Sequence, residues 1–358
     1  MARTSAIGLD PRAVLLMRLS GARMSPRTLW LIAGGAVALG AVLSFAVLNL
    51  GPAGAIILSG PLVISATWGA SRAIEDRRRA TDRLMTMLVT FAFLLALIPL
   101  VSVMWQVIVH GLARFDLTFF TSDMRGVIGA GGGMLHALVG TIIITTATAV
   151  ISVPIGILTG VYLVEYGHGP LSRSITMLVD VMTGIPSIVA GLFAYALFLI
   201  FFGPGVRMGI GGAVALSILM IPVVVRTTEE MLKIVPRDLR EAAFALGVPK
   251  WRTVVQVVLP AAAAGISAGV IVAIARVIGE TAPLLIIAGN TTNTNTNLFS
   301  GRMETLPVFL YYSFLQPGVP PQASLDRAWA AALALMLLVM ILNLIARLIA
   351  RLLAPKTA

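Results

Sequence analysis

Two ionisable residues stand inside an apolar stretch where charge is expensive. Arg276 and Glu280 interrupt residues 259–289, a run otherwise dominated by Ala, Ile, Val, Leu and Gly. From Leu259 to Arg276 a helix would travel about 25 Å, deep into a bilayer. An Arg there costs roughly 2.5–3.5 kcal/mol on insertion scales, so it needs a partner or a task. The i, i+4 spacing puts both residues on one helical face, where they can pair. A guanidinium also presents a planar fork of donors that matches carboxylate or phosphate oxygens. Two chemistries therefore fit equally well: an ion pair that steadies a bundle, or a contact for an anion in transit. Pro283 follows one turn later and is expected to end or kink the helix.

No catalytic constellation accompanies this pair. His110, His136 and His168 stand singly, without metal-ligand spacing. The chain has no Cys, which excludes disulfides, thiolate catalysis and cysteine metal sites. Its three lysines, Lys233, Lys250 and Lys356, follow no GxxxxG phosphate loop. The sequence therefore reads as neither an enzyme nor an ATPase, and it calls for no cofactor.

The elements that must position Arg276 are membrane helices. Of 358 residues, 58% are hydrophobic and 11% charged, less than half the charge of a soluble domain. Mean hydropathy is +0.97. A span needs about 20 mostly apolar residues. Eight candidates meet this, at 29–50, 53–70, 84–110, 134–164, 175–202, 210–226, 259–289 and 329–352, the second being short and carrying Pro61. Residues 1–28 hold five Arg and lack the form of a signal peptide.

The net charge of +11 would suggest nucleic acid in a soluble protein. Its distribution argues for a membrane instead. With the N-terminus inside, the inner segments carry 20 Lys and Arg and the outer ones 5. This asymmetry sets the orientation and requires an even number of spans. Both termini are expected in the cytoplasm, with the bilayer as solvent and no nucleic-acid partner. The charged run 72–83 reads as a cytoplasmic linker, separating a two-span hairpin (1–83) from a six-span body (84–358). Asp180 and Glu165 fall near the inner face and are expected to pair with Arg. Gly129–Gly133 reads as a linker.

The longest inner loop, 226–258, is patterned. Pro236 and Asp238 open a helix, with Leu239, Ala242, Ala243 and Leu246 on one face. Gly247 stops it and Pro249 starts a second short helix, whose apolar face is Trp251, Val254, Val255 and Val258. Two small amphipathic helices joined at a glycine suit a soluble partner or the membrane surface. The string Glu241-Ala242-Ala243, with Gly247 and then Leu259-Pro260, resembles the EAA motif of ABC-importer permeases. That resemblance implies a coupling helix seated in a separate ATPase subunit.

A second resemblance is more specific. Residues 275–284 (ARVIGETAPL), 184–192 (GIPSIVAGL), 297–301 (NLFSG) and Leu306-Pro307 are similar to the PstA-type permease subunit of the phosphate (Pst) ABC importer, over roughly 84–354. Val277 stands where that family more usually has Ala, and the first two spans lie outside its usual body. The resemblance implies an all-α polytopic membrane protein, a type I ABC-importer permease fold with two extra N-terminal transmembrane helices. It implies inorganic phosphate as the solute. The expected partners are a second permease (PstC type), an ATPase dimer (PstB type) and a periplasmic phosphate-binding protein (PstS type), in a bacterial inner membrane. It places Arg276, Glu280 and the adjoining Thr281 in the phosphate pathway. It gives ATPase coupling to Glu241, Ala242, Ala243 and Gly247.

Overall fold

The structure, a computed structural model, describes residues 24–353, and every regular element among them is helical. The expectation of an inner N-terminus with five Arg falls largely on residues 1–23, outside the described residues, as does Lys356. Seven helices are long and apolar enough to cross a membrane, or eight if one bent pair counts as a span. The chain divides into a compact unit up to Met104 and another from Trp105.

In the first unit, α1 (Pro26–Val42) extends as a π-turn to Val47, and α2 covers Gly51–Ile74. The second span is thus full length despite Pro61. α3 (Arg77–Gly111) follows after two residues, so the expected linker is mostly helix. The turn is tied by Glu75, which accepts from Met24 N–H at 2.8 Å, from Ser71 Oγ and from Arg83 at 2.8 Å. Burial pushes this carboxyl up, but Ser71, Met24 and the arginines outweigh it and leave its pKa below the usual range.

The second unit holds α4 (Leu117–Thr121), α5 (Leu135–Val161, with a π-turn to Tyr166), α6 (Pro170–Thr183), α7 (Ser187–Phe202) and α8 (Gly209–Ile234). Then come α9 (Arg237–Ala245), α10 (Lys250–Ile278), α11 (Ala282–Ile287), α12 (Leu306–Leu315) and α13 (Pro321–Leu353). α8 is central. Its Ala213, Leu216, Met220 and Val224 pack in one cluster with Ile144 of α5, Ala273 and Val277 of α10, and Leu284 of α11. α5 approaches α8 along small residues: a Cβ on Gly156 would sit 2.6 Å from Val224, and one on Gly160 2.8 Å from Thr228. Small-xxx-small stripes close membrane helices in this way.

Three expected elements differ. Residues 175–202 are not one continuous helix. α6 and α7 meet at 109° across Gly184–Pro186, because the residue before a proline is disfavoured in helix. The second short helix of the inner loop is not separate, since Lys250 runs continuously into the span. Residues 259–289 are also not one helix. α10 ends at Ile278, and α11 starts with Pro283 in its first turn. The glycines at 129–133, read as a linker, are irregular backbone held by arginines: Arg327 donates to the Gly129 and Gly131 carbonyls at 2.8 and 3.0 Å, and Arg114 to that of Gly132 at 3.0 Å.

Candidate functional site

Arg276 lies at mid-depth of the bundle. α10 runs antiparallel to α8 with Gly265 against Met231 and Gly269 against Thr227. That register carries Arg276 level with Met220, close to the midpoint of α8. Its neighbours Ala275, Val277 and Ile278 are buried, while Arg276 itself is exposed. No hydrogen bond or ion pair of its side chain is present among the described residues. The expected pair with Glu280 does not form, because the helix stops between the two. Gly279 caps it, and Glu280 donates its backbone N–H to Val277 O at 3.1 Å in the turn that follows. Glu280 and Thr281 are half-buried in this break, and Thr281 lines a shallow apolar recess with Pro307 and Tyr311. The arrangement is an uncovered guanidinium beside a carboxylate and a hydroxyl, where a span is interrupted.

The inner loop is built as a platform. Pro236 precedes α9 and Gly247 ends it with φ +75°, a left-handed turn that glycine adopts freely. Ala243 is the one buried residue of α9, so it faces inward rather than offering a small outer surface. Glu241 and Ala242 are exposed, as are Leu239, Phe244 and Leu246. The apolar set on the next helix also divides: Val254 and Val258, one turn apart, are buried, and Trp251 and Val255 are exposed. Beneath α9, Arg240 binds Glu165 at 2.8 Å. Arg226 binds Asp180 and, at 2.7 Å, Glu229. The expected arginine partners of Asp180 and Glu165 are therefore both present.

One feature at the opposite end was not legible in the sequence. His136 Nε2 lies 3.1 Å from Glu304 Oε2, both side chains nearly fully buried, across 168 residues of sequence. Burial pushes the Glu304 carboxyl up, against the pull of His136 and of the Thr291 N–H. No spacing rule links an isolated His to a Glu so far along the chain. The signal that was available is the Glu itself, placed next to the apolar run that opens α12.

Residues 152–358 match the family described as binding-protein-dependent transport system inner membrane component. The phosphate transport system permease protein PstA of Mycobacterium leprae is 44% identical over 270 residues, covering 74% of this chain and 87% of that protein. The chain belongs to the PstA family. The PstA of Pasteurella multocida is 39% identical over 258 residues, 71% of this chain and 89% of the relative. Among solved structures, a bacterial alginate ABC transporter in complex with an alginate pentasaccharide-bound periplasmic protein aligns with a TM-score of 0.57. The identity is 13%, covering 78% of this chain and 97% of that one. It establishes the fold alone; the PstA relatives and the transport-component family make the chain a multi-pass ABC permease subunit.

Proposed function

We propose that this chain is a permease subunit of an ATP-driven importer of inorganic phosphate, and that Arg276, Glu280 and Thr281 contribute to the phosphate pathway. The observation that carries the reading is the exposed Arg276 at mid-depth, with no partner for its side chain among the described residues. Left against lipid it would cost roughly 2.5–3.5 kcal/mol. A second, similar permease of PstC type closing over this face, with a phosphate anion between them, supplies the missing partner. The family supports phosphate as the solute, and the fork geometry of Arg suits its oxygens.

The rest of the assembly follows from the same reading. Glu241, Ala242, Ala243 and Gly247 form the element that couples to a separate ATPase dimer of PstB type. The exposed Leu239, Phe244 and Leu246 are apolar surface for that contact. A PstS-type binding protein delivers phosphate at the other end. The positive-inside asymmetry supports cytoplasmic termini in a bacterial inner membrane. Residues 1–83 are an added N-terminal element and 84–358 the permease domain proper. The test is ATP-dependent uptake of radiolabelled phosphate into proteoliposomes holding the full complex. Uptake competed by unlabelled phosphate and not by sulfate or molybdate is expected. Preference for another anion, or uptake without ATP, would overturn the reading.

A further inference from the structure

The Arg240 side chain joins α9 to the end of α8 and to the distant end of α5. It projects from the first turn of α9. Its Nε and one terminal nitrogen donate to Glu165 Oε1 at 3.0 and 2.8 Å. The same terminal nitrogen donates to Leu232 O at 2.9 Å, and the other to Val235 O at 2.7 Å. Leu232 and Val235 lie at the end of α8, where the Leu232 carbonyl also accepts the Val235 N–H at 3.3 Å. Glu165 sits in the π-turn that ends α5. The pair is largely screened from solvent, its side chains 16% and 8% exposed. A partly desolvated, charge-assisted fork of this kind is stiff and directional.

The remaining attachment of α9 is thin. Of its nine residues only Ala243 is buried, and the turn at Gly247 has open space where a Cβ would be. Leu239 and Leu246 are exposed, and Phe244, also exposed, lines a recess with Val164 and Glu165. Among the described residues, the side-chain bond that carries a force on α9 directly into α5 runs from the guanidinium of Arg240 to the carboxylate of Glu165. α5 in turn packs on α8 along Gly156 and Gly160, the helix whose centre lies level with Arg276.

We propose that the Arg240–Glu165 clamp transmits the movement of the coupling helix to α5 and α8. Arg240 and Glu165 are thus positioning residues for transport rather than contacts for phosphate or for the ATPase. The proposal rests on the ATP-coupled reading above. Its prediction concerns the ratio of phosphate moved to ATP hydrolysed, a quantity that a merely structural bond would leave unchanged.

The experiment uses the full complex in proteoliposomes. Glu165→Gln keeps size and one acceptor oxygen but removes the charge. The expected result is a normally assembled complex that still hydrolyses ATP, with phosphate moved per ATP reduced roughly tenfold or more. Glu165→Cys with Arg240→Cys, in a chain that has no other Cys, should be uncoupled in the same way. Bridging the two thiols with a reducible bifunctional methanethiosulfonate should restore the ratio, and reduction should abolish it again. A wild-type ratio in Glu165→Gln or in the unbridged double variant would overturn the proposal. So would a bridged complex that stays uncoupled, or a loss of uptake matched by an equal loss of assembled complex. Absence of ATP-dependent phosphate uptake in the unaltered complex would instead mark failure of the functional reading itself.

Discussion

Replacing Arg276 by Gln separates a residue that meets the solute from one that holds the bundle. Among the described residues the Arg276 side chain makes no bond to lose, and it sits exposed. Removing its charge should therefore not destabilise the fold, since no bond among the described residues is lost and the cost of a charge at membrane depth is relieved. The effect on transport should be far larger. Hydrogen bonds to charged groups contribute about 1.5–3 kcal/mol each, so losing a two-pronged contact removes roughly 3–6 kcal/mol. At about 1.4 kcal/mol per decade this is on the order of 10²- to 10⁴-fold in uptake. Arg276→Lys keeps the charge without the fork and should fall between that variant and wild type.

The assay is phosphate uptake in vesicles, divided by the amount of assembled complex. Glu280→Gln should lower turnover without lowering that amount, since the structure gives Glu280 no ion pair to break. The double variant should stay inactive, because no Arg276–Glu280 bond exists whose two halves need to be removed together. Recovery of uptake in the double variant, or loss of Arg276→Gln complex in step with its uptake, would refute the reasoning and make the residues structural.

Three further outcomes follow from packing and charge. Gly156→Leu forces side-chain atoms into the α5–α8 seam, where even a Cβ would be 2.6 Å from Val224. It should cost about 1–3 kcal/mol and lower the melting temperature, while Gly34→Ala, with nothing within 4 Å, should not. Gly247→Val places a β-branched residue at φ +75°. With open space around it the penalty is conformational, about 1–2 kcal/mol, and Gly247→Asn should be milder in urea unfolding of the purified chain. Glu304 binds its proton more tightly when folded, so stability should fall as pH rises from the ordinary carboxylate value of 4.5 toward the raised one. Glu304→Gln should flatten that fall in melting curves taken across the window.

What the sequence made legible follows from the range of its signals. Hydropathy is a local sum over some 20 residues, so the spans were visible; so were the loop opened by Pro236 and closed by Gly247, since caps and breakers act on adjacent backbone. Glu165 and Asp180 could be matched to arginines by depth alone, because charges near one membrane face find each other. The errors arose where periodicity was extended past a breaker. Ile185-Pro186 turns α6 away from α7, and Gly279 ends α10 before the i+4 geometry can bring Glu280 to Arg276. That second break changes the chemistry assigned to the site. An unbroken helix would have neutralised Arg276 within its own chain and left nothing for an anion to meet. Interrupted at Gly279, the same residues leave the guanidinium exposed and unpaired among the described residues, which is what the proposed contact with an anion requires. Arg240 shows the complementary case, in which a residue adjoining a recognisable motif takes its meaning from partners at 165, 232 and 235. Only the folded chain brings Glu165 to Arg240, so the proposed path of force from the coupling helix is read from the structure and not from the motif.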